Sequence, residues 1–382
     1  MDTVLFITDL HVGSHVLELA GVFDRAATHR WRVIEIEHAR TTRPLRELIE
    51  RWHPTGCIME GSLGASRSTE KTFLNIPVVH LDPDPRMART ARHTVSSDAR
   101  RLAQMAVREL GNATPCSYAF IGWCTKTVWS AERGRLFAEH VKAETRKPVA
   151  IFGSGWDMGD LHSAQKEIVK FLAKLPRPVG IFATNDYTAV QVADACTSCG
   201  WASPKDFLLV SVDNEELHCE NATPSITSIE QDFRGAGHLA ADLLAELIAN
   251  PDLKPRHLTF GPVRLVRRQS TNTLKINDPR ITRAVERIRR DATSGISAAD
   301  ILAEIPLSRR LAEKRFLAAT GKTILEAIQD VRLEKVFQLL KTDLPIGHIA
   351  ARCGLQSDSF LKRLFKAKTG VTLREWRLQH KG

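Results

Sequence analysis

The stretch IAARCGLQSDSFLKRLFKAKTG, from Ile349 to Gly370, reads as a short apolar helix, a glycine and then a second helix. After Asp358 this second helix contains no acid, and its apolar residues recur at helical spacing, so one face is predicted to pack inward. Gly354 permits a tight turn between the two helices. The outward face is predicted to carry the four cations of the second helix, Lys362, Arg363, Lys366 and Lys368.

A second copy of this pattern precedes the first along the chain. RFLAATGKT, from Arg315 to Thr323, matches LFKAKTGVT, from Leu364 to Thr372, at a separation of 49 residues. Helix, short turn and helix is the arrangement that places its second helix in a DNA major groove. The predicted parts are Ala298 to Ile305, the turn Pro306-Leu307 and a helix from Ser308 in one copy, and Ile346 to Cys353, Gly354-Leu355 and a helix from Ser357 in the other.

The positive charge of the chain is concentrated around these two copies. The net charge is +10, and the segment from Asp278 onward holds 21 Lys and Arg against 12 Asp and Glu. The preceding 277 residues hold 33 bases and 32 acids. A surface charged only for solubility would spread the excess evenly, so this segregation favours a polyphosphate partner such as double-stranded DNA.

The first 265 residues alternate short apolar runs with helix-length segments, which is typical of parallel sheets covered by helices on both faces. We predict a two-lobed α/β domain over residues 1–272, with crossovers near Pro115 and Ile226 to Asp232, and an all-α domain over 278–382. A ligand would bind in the cleft beyond the carboxyl ends of the strands. The predicted strands are VLFI, RVIEIE, GCIME, PVVHLD, CSYAFIGW, VAIF, GIFAT and LLVSVD, starting at residues 4, 32, 56, 77, 116, 149, 180 and 208.

Composition and motifs argue against several classes of protein. MDTVLFITDL enters a strand directly, and no apolar run approaches the ~20 residues needed to cross a bilayer, so a cytoplasmic protein is expected. Seven scattered cysteines favour free thiols, and Cys196-x-x-Cys199 lacks the second pair of a zinc site. The loop Gly153 to Gly159 fails the dinucleotide-binding spacing, and His11 and His162 stand outside any catalytic motif. We predict no enzyme, cofactor or metal.

The last hundred residues resemble the tandem DNA-binding domain of arabinose-regulator (AraC-type) transcription factors, through RLEKVFQLL and IAARCGLQSDSFLKRLFKAKTGVTLREWR. The resemblance implies two recognition helices in successive major grooves. Pro306 departs from the glycine that such repeats often carry. The residues placed near DNA are Ser308, Arg309, Arg310 and Glu313 in the first copy, and Gln356, Ser357, Ser359, Lys362, Arg363 and Lys366 in the second.

The first 270 residues resemble the sugar-binding core of lactose-repressor-type regulators, which share the fold of periplasmic binding proteins. The resemblance rests on IFATNDYTAVQVADAC, VSVDNEE, PSITSIEQDFRGAGHLAADLL and TVWSAERGRLFAEHV. An Asn-Asp pair after a strand is also a common helix cap, so that alternative stays open. The implied ligand-binding residues are Arg133, Asn185, Asp186, Asp213, Asn214 and Gln231, with Trp129 and Trp156 as covers for the sugar ring.

A sensor of the second kind placed before a DNA reader of the first kind resembles the family of xylose operon regulators. That resemblance implies a homodimeric activator that binds D-xylose and operator DNA in the cytoplasm, with RNA polymerase as a further partner. Another pentose, a hexose or a nucleoside remains an alternative ligand. A sugar-processing enzyme with a basic tail is the alternative from another class, and it would need an acid/base pair for which the sequence offers no motif.

Overall fold

The protein is described here by a computed structural model that covers residues 1–8, 13–37, 45–60, 73, 75–82, 92–123, 127–153, 160–272, 278–340, 342 and 344–380. The chain divides into two compact units, Met1–Asn272 and Thr273–Gly382. We call them the sensor unit and the reader unit. Within the described ranges, no helix is both long and apolar enough to cross a membrane.

The first lobe of the sensor unit is built on a six-stranded parallel sheet in the order β11-β5-β4-β3-β1-β2. Two helices, α1 and α8, bury their apolar faces against one side of this sheet, and α2 packs on the other. The elements are β1 Asp2–Thr8, α1 Gly13–His29, β2 Trp31–Glu37, α2 Leu45–Trp52, β3 Gly56–Glu60, β4 Val78–Leu81, β5 His93–Ser97, α8 Phe233–Ala249 and β11 His257–Phe260.

The second lobe carries another six-stranded sheet, in the order β12-β10-β9-β8-β6-β7, in which only the β10–β12 pair is antiparallel. Two helices, α3 and α4, pack on one face, and α5, α6 and α7 cover the other. The elements are α3 Ala99–Gly111, β6 Ser117–Ile121, α4 Val128–Thr145, β7 Val149–Phe152, α5 Leu161–Leu172, β8 Val179–Ala183, α6 Asp186–Ser198, β9 Phe207–Asp213, α7 Glu216–Asn221, β10 Thr227–Gln231 and β12 Pro262–Val266.

The predicted fold class is confirmed, and all eight predicted strands are present, but the sequence indicated neither β11 nor the two polar strands β5 and β10. Their sequences, HTVSS and TSIEQ, are too polar to read as buried strands. All five residues of β10 are nevertheless buried, because their polar groups find partners inside the lobe. Ser228, for example, donates a 2.6 Å hydrogen bond to Asp186.

The chain passes between the lobes three times, at Asp98, Asp232 and Gly261. The sequence placed the first crossing near Pro115, but α3 already packs on the second sheet, so the crossing lies one helix earlier. The third crossing was not anticipated. The crossing segments hold one another through backbone hydrogen bonds, from Asp98 N to Phe260 O at 2.8 Å and from Asp232 N to Gly261 O at 3.4 Å.

The described part of the reader unit contains helices only, packed around two separate apolar cores. Asp278 caps the first helix, Pro279 opens it, and Gly295 follows its last turn with a positive φ of 89°. The helices are α9 Pro279–Asp291, α10 Ala298–Glu304, α11 Arg309–Thr320, α12 Ile324–Leu340, α13 Ile349–Arg352, α14 Asp358–Thr369 and α15 Leu373–His380.

Candidate functional site

In the second lobe of the sensor unit, polar side chains gather where neighbouring strands end. Asp186 follows β8, Asp213 ends β9 and Gln231 ends β10, while Arg133 lies in the second turn of α4. Because β8, β9 and β10 are parallel neighbours, their carboxyl ends lie at one edge of the sheet. We call this edge the polar edge of the second lobe.

Asp186 joins three elements of this edge. Its carboxylate accepts hydrogen bonds from the backbone N–H of Glu215 at 2.7 Å and from the Ser228 hydroxyl at 2.6 Å. Burial raises the pKa of Asp186 well above its usual range, and the charge of Asp213 acts in the same direction. Both carboxylate oxygens therefore have donors within the protein, which makes Asp186 an organiser of the site.

Asp213 and Gln231 form the centre of the polar edge. Gln231 donates from Nε2 to Oδ1 of Asp213 at 3.0 Å, while its own Oε1 is buried without a hydrogen-bond partner among the described residues. Asp213 has a φ of 104°, which is strained for a residue with a side chain. Burial raises the pKa of Asp213, opposed by the charge of Arg133 and the bond from Gln231.

Arg133 is only 4% exposed, and it donates to the backbone carbonyl of Thr184 at 2.6 Å. Its Nε is buried and lacks a partner within the described part of the chain. The guanidinium lies 4.9 Å from the centre of the Trp129 ring, a cation–π distance. Trp123 lies 6.3 Å from Trp129 and 5.7 Å from Tyr187, so it connects the Trp129 ring to that of Tyr187.

The first lobe adds carboxylates that sequence reasoning missed. The pKa of Glu18 is raised by burial and by the negative charges of Asp82, Glu60 and Asp213. Oε2 of Glu18 is buried with no hydrogen-bond partner in the described ranges. The signal was present, because Glu60 ends the predicted strand GCIME and Asp82 ends PVVHLD. Carboxylates of both lobes therefore converge on Asp213 and Arg133.

Two of the predicted ligand residues have their side chains engaged elsewhere. Asn185 caps α6, and its Oδ1 accepts a hydrogen bond from the Thr188 N–H at 3.0 Å. This is the helix-cap role that the sequence left open as an alternative to ligand binding. Asn214 points its amide toward Glu230 and Arg268. Trp156 lies outside the described residues, as do His11 and the loop residues 154–159.

The discounted motifs gain no support from the structure. Cys196 is buried and Cys199 is exposed, and both are free thiols. His162 is exposed on α5. A search of the described residues finds no group of three or more His, Cys, Asp or Glu that could hold a metal ion.

The reader unit presents its predicted DNA-contacting residues on two exposed helix faces. Ser357 caps α14 by accepting from the Phe360 N–H at 3.2 Å, whereas Ser308 occupies the cap position of α11 without a side-chain bond. Arg309 and Glu313 form an ion pair one turn apart at 3.0 Å. The exposed residues are Ser308, Arg309, Arg310 and Glu313 on one face, and Gln356, Ser357, Ser359, Lys362, Arg363 and Lys366 on the other.

The same local devices support both faces, which explains the internal repeat. Each recognition helix ends at a glycine with positive φ, Gly321 or Gly370, and the next helix starts with a threonine–glutamate capping box. Arg332 donates to the carbonyls of residues 292 and 296, and Arg377 donates to those of residues 340 and 344. Each arginine thereby fixes the segment that leads into its own copy.

Known families match the two units separately. A family model described as a periplasmic binding protein-like domain matches residues 117–271, and a helix-turn-helix domain matches residues 301–379. The xylose operon regulatory protein of Escherichia coli (strain K12) is 27% identical over 382 residues, which cover 98% of this chain and 96% of that protein. The xylose operon regulatory protein of Haemophilus influenzae is 30% identical over 292 residues, covering 74% of each.

Solved structures share the fold. A xylose-binding transcription activator aligns over 98% of this chain and 97% of its own, with a TM-score of 0.60 and 24% identity. A lac repressor dimer bound to operator aligns over 70% of this chain and 93% of its own, with a TM-score of 0.57 and 18% identity. The first similarity spans nearly the whole chain. The second covers a share of the chain close to the length of the sensor unit.

Proposed function

The chain belongs to the family of xylose operon regulatory proteins, and from this we propose that it is a DNA-binding transcription regulator whose sensor unit binds D-xylose. The observation that carries the proposal is the convergence of Asp213, Gln231 and Arg133 at one sheet edge, with unpartnered buried polar atoms on two of them. Such atoms cost free energy until a ligand satisfies them.

The chemistry of this edge suits a polyol. Carboxylate and amide oxygens of Asp213 and Gln231 accept from sugar hydroxyls, and Arg133 donates to them. The Trp129 ring offers an apolar face against which the C–H side of a sugar ring can pack. Asp186 and Asn185 support the proposal as residues that shape the edge, through the hydrogen bonds they already make.

The reader unit supplies the DNA-binding half of the function. Its excess of bases supports attraction to phosphates, and the two exposed recognition helices support reading of two successive major grooves. The regulator acts as an activator of xylose-use genes in the cytoplasm. It works as a homodimer that binds two half-sites and contacts RNA polymerase.

The two parts are coupled through lobe closure. Sugar bound between the lobes favours the closed form of the sensor unit, and closure changes how the recognition helices of the dimer reach adjacent half-sites. The sugar can shift this equilibrium only by its differential affinity for the two forms, and an ordinary coupling is about 1–3 kcal/mol. Residues 1–272 and 278–382 are the two domains of this mechanism.

Calorimetric titration of the full chain with D-xylose, L-arabinose, D-ribose and D-glucose tests the ligand. We expect saturable binding of D-xylose, weakened at least tenfold in Asp213→Asn, since the substitution removes the acceptor charge at the centre of the edge. Glu167→Gln, an exposed change on α5 of the same lobe, is the matched control and should bind normally. Equal binding by Asp213→Asn and Glu167→Gln would refute the site.

A nucleoside is the second candidate ligand, favoured by the Trp129 ring beside Arg133 and by the neighbouring rings of Trp123 and Tyr187. Aromatic side chains stack on nucleobases more strongly than on sugar rings. Adenosine and uridine belong in the same titration, and tighter binding of either one would replace D-xylose. Recovery of the sugar unchanged after long incubation would separate the regulator from a sugar-processing enzyme.

A further inference from the structure

Asn214 stands directly after Asp213 and connects the polar edge to the interior of the second lobe. Its backbone N–H donates to the Ser228 hydroxyl at 3.0 Å, and Ser228 in turn donates to Asp186. Its Nδ2 lies 3.5 Å from the Glu230 carboxylate, and its Oδ1 accepts from Arg268 at 2.9 Å. With a φ of 55°, Asn214 continues the left-handed backbone of Asp213, so a shift of one residue moves the other.

Arg268 receives this connection at the far end. It is 7% exposed, and its guanidinium reaches three different elements of the lobe. One nitrogen donates to Asn214 Oδ1 and another to the Ile226 carbonyl, both at 2.9 Å, and Nε pairs with Glu220. Its backbone N–H donates to the Thr227 hydroxyl at 2.8 Å, so side chain and main chain are both held.

The residues after Arg268 lead out of the sensor unit. Gln269–Thr271 form a short 3-10 helix, and the reader unit begins at Thr273. Ser270 anchors this exit segment, because its N–H donates to the Ser225 carbonyl at 2.9 Å and its hydroxyl to the Leu209 carbonyl at 2.6 Å. A displacement of Arg268 therefore acts on a well-ordered segment that is covalently continuous with the reader unit.

We propose that Arg268 is the positioning residue that couples ligand occupancy at Asp213, through Asn214, to the exit segment that continues into the reader unit. This inference rests on the proposed function. A ligand that draws Asp213 into a new hydrogen bond turns the strained Asp213–Asn214 pair, and Asn214 then moves the guanidinium that bridges it to Ile226 and Glu220. Coupling of this kind ordinarily amounts to a factor of about 5 to 150.

The role needs arginine rather than any cation. The planar guanidinium can donate to three acceptors at fixed angles, whereas a lysine ammonium is a single point charge. Arg268→Lys keeps the pairing with Glu220 but loses the simultaneous contacts to Asn214 and Ile226. Arg135→Met is the matched control, because the Arg135 side chain is 52% exposed and pairs with Glu132 and Glu139 of its own helix α4. Arg267 would not serve, because its partner Glu109 also accepts a hydrogen bond from Thr271 of the exit segment.

Hydrogen exchange of the Ser270 and Asn272 amides in the full chain, with and without saturating D-xylose, measures the coupling. We expect at least a fivefold change on ligand addition in the unaltered chain and in Arg135→Met. Arg268→Met and Arg268→Lys should bind D-xylose within about tenfold of the unaltered chain, yet ligand addition should change their exchange by less than about twofold. A fivefold change retained in a folded Arg268 variant, or lost equally in Arg135→Met, would overturn the proposal.

A ligand-free measurement separates failure of this proposal from failure of the proposed function. Asp213→Asn should alter exchange at Ser270 and Asn272 by about fivefold when Arg268 is present, and by less than twofold in the Arg268→Met or Arg268→Lys background. If D-xylose fails to bind the unaltered chain, the proposed ligand is wrong. This comparison of single and double substitutions needs no ligand, so it still tests whether Arg268 couples Asp213 to the exit segment. If Asp213→Asn changes the exchange rates by the same factor with and without Arg268, Arg268 does not couple the ligand site to the exit segment. If Arg268→Met does not fold, Arg268→Lys carries both measurements.

Discussion

The two helix-turn-helix copies share their scaffold but differ in the turn. In the first copy, Pro306 is exposed, and Ile305 before it takes an extended conformation because a residue that precedes proline is disfavoured in a helix. In the second copy, Gly354 has a φ of 67° and packs against residues 292–295, the segment that leads into the first copy. A Cβ on Gly354 would come within 2.7 Å of the Thr293 carbonyl oxygen.

The difference teaches that equivalent positions of a repeat need not be equally tolerant. In the first turn Pro306 faces solvent, and Leu307 packs on the apolar core of its own copy. The second turn is part of the contact between the copies, where backbone meets backbone. Arg332 reinforces that contact from α12, because it bonds the carbonyls of Ala292 and Ile296 on either side of Thr293.

The largest expected contrast is between Gly354→Ala and Pro306→Ala. The first substitution forces a side chain into left-handed backbone and against carbonyl oxygens, at a combined cost of roughly 2–4 kcal/mol in unfolding free energy. The second should change it by less than about 1 kcal/mol. Hydrogen exchange of the α13 and α14 amides in the full chain measures both, and equal protection in the two variants would contradict the comparison.

Arg332→Met and Arg377→Met sharpen the comparison between the two scaffolds. Arg332 is 9% exposed, so removing it takes a hydrogen bond from the buried Ala292 carbonyl and one from the half-buried Ile296 carbonyl, and should cost about 1–3 kcal/mol. Arg377 is half-buried, so water can replace part of its bonds, and we expect about 1 kcal/mol. Denaturant titrations measure both losses of unfolding free energy. A larger loss in Arg377→Met than in Arg332→Met would contradict the prediction that Arg332 makes the more stabilising contact.

Arg310→Gln and Lys366→Gln compare the two DNA-reading faces, because each substitution removes one exposed positive charge from one face. If both faces meet phosphates, each change should weaken binding and reduce the slope of log affinity against log salt by about 1. Duplexes selected from a random-sequence pool by the full chain are suitable probes. Lys170→Gln, on α5 of the sensor unit, is the control and should leave the slope unchanged. A slope altered by only one substitution would assign DNA contact to one copy.

The smallest effect is expected at Asp330, which lies on α12 and pairs with Lys322 of the first copy and Lys368 of the second. The two lysine side chains are 55% and 46% exposed, so water screens the pairs and Asp330→Asn should lower the unfolding free energy by less than about 1 kcal/mol. The loss should disappear in ~1 M salt, where screening removes the attraction. A larger or salt-independent loss would mean that this ionic contact, rather than Gly354 and Arg332, holds the copies together.

The ligand site was only partly predictable for reasons visible in single residues. Asp213 could be placed at a strand end because a strand boundary is a local feature of the sequence, whereas Gln231 was reached only through the family resemblance, since β10 was not predicted. Asn185 and Asn214 have the same local context, yet the fold uses one as a helix cap and the other as a link to Arg268. Glu60 ends one strand of the other lobe and Asp82 follows the next, and only the lobe arrangement brings Asp82 near Arg133.

Three features could be predicted from the sequence: the alternation of strands and helices in the two sheets, the two helix-turn-helix copies, and the positive charge of the reader unit. These features depend on periodicity and composition, which are local properties of the chain. Tertiary structure alone decided where the chain crosses between lobes, why the polar strand β10 is buried, and why Gly354 is critical. Those outcomes depend on contacts between residues far apart in sequence. A local sequence pattern does not indicate which distant residues come into contact.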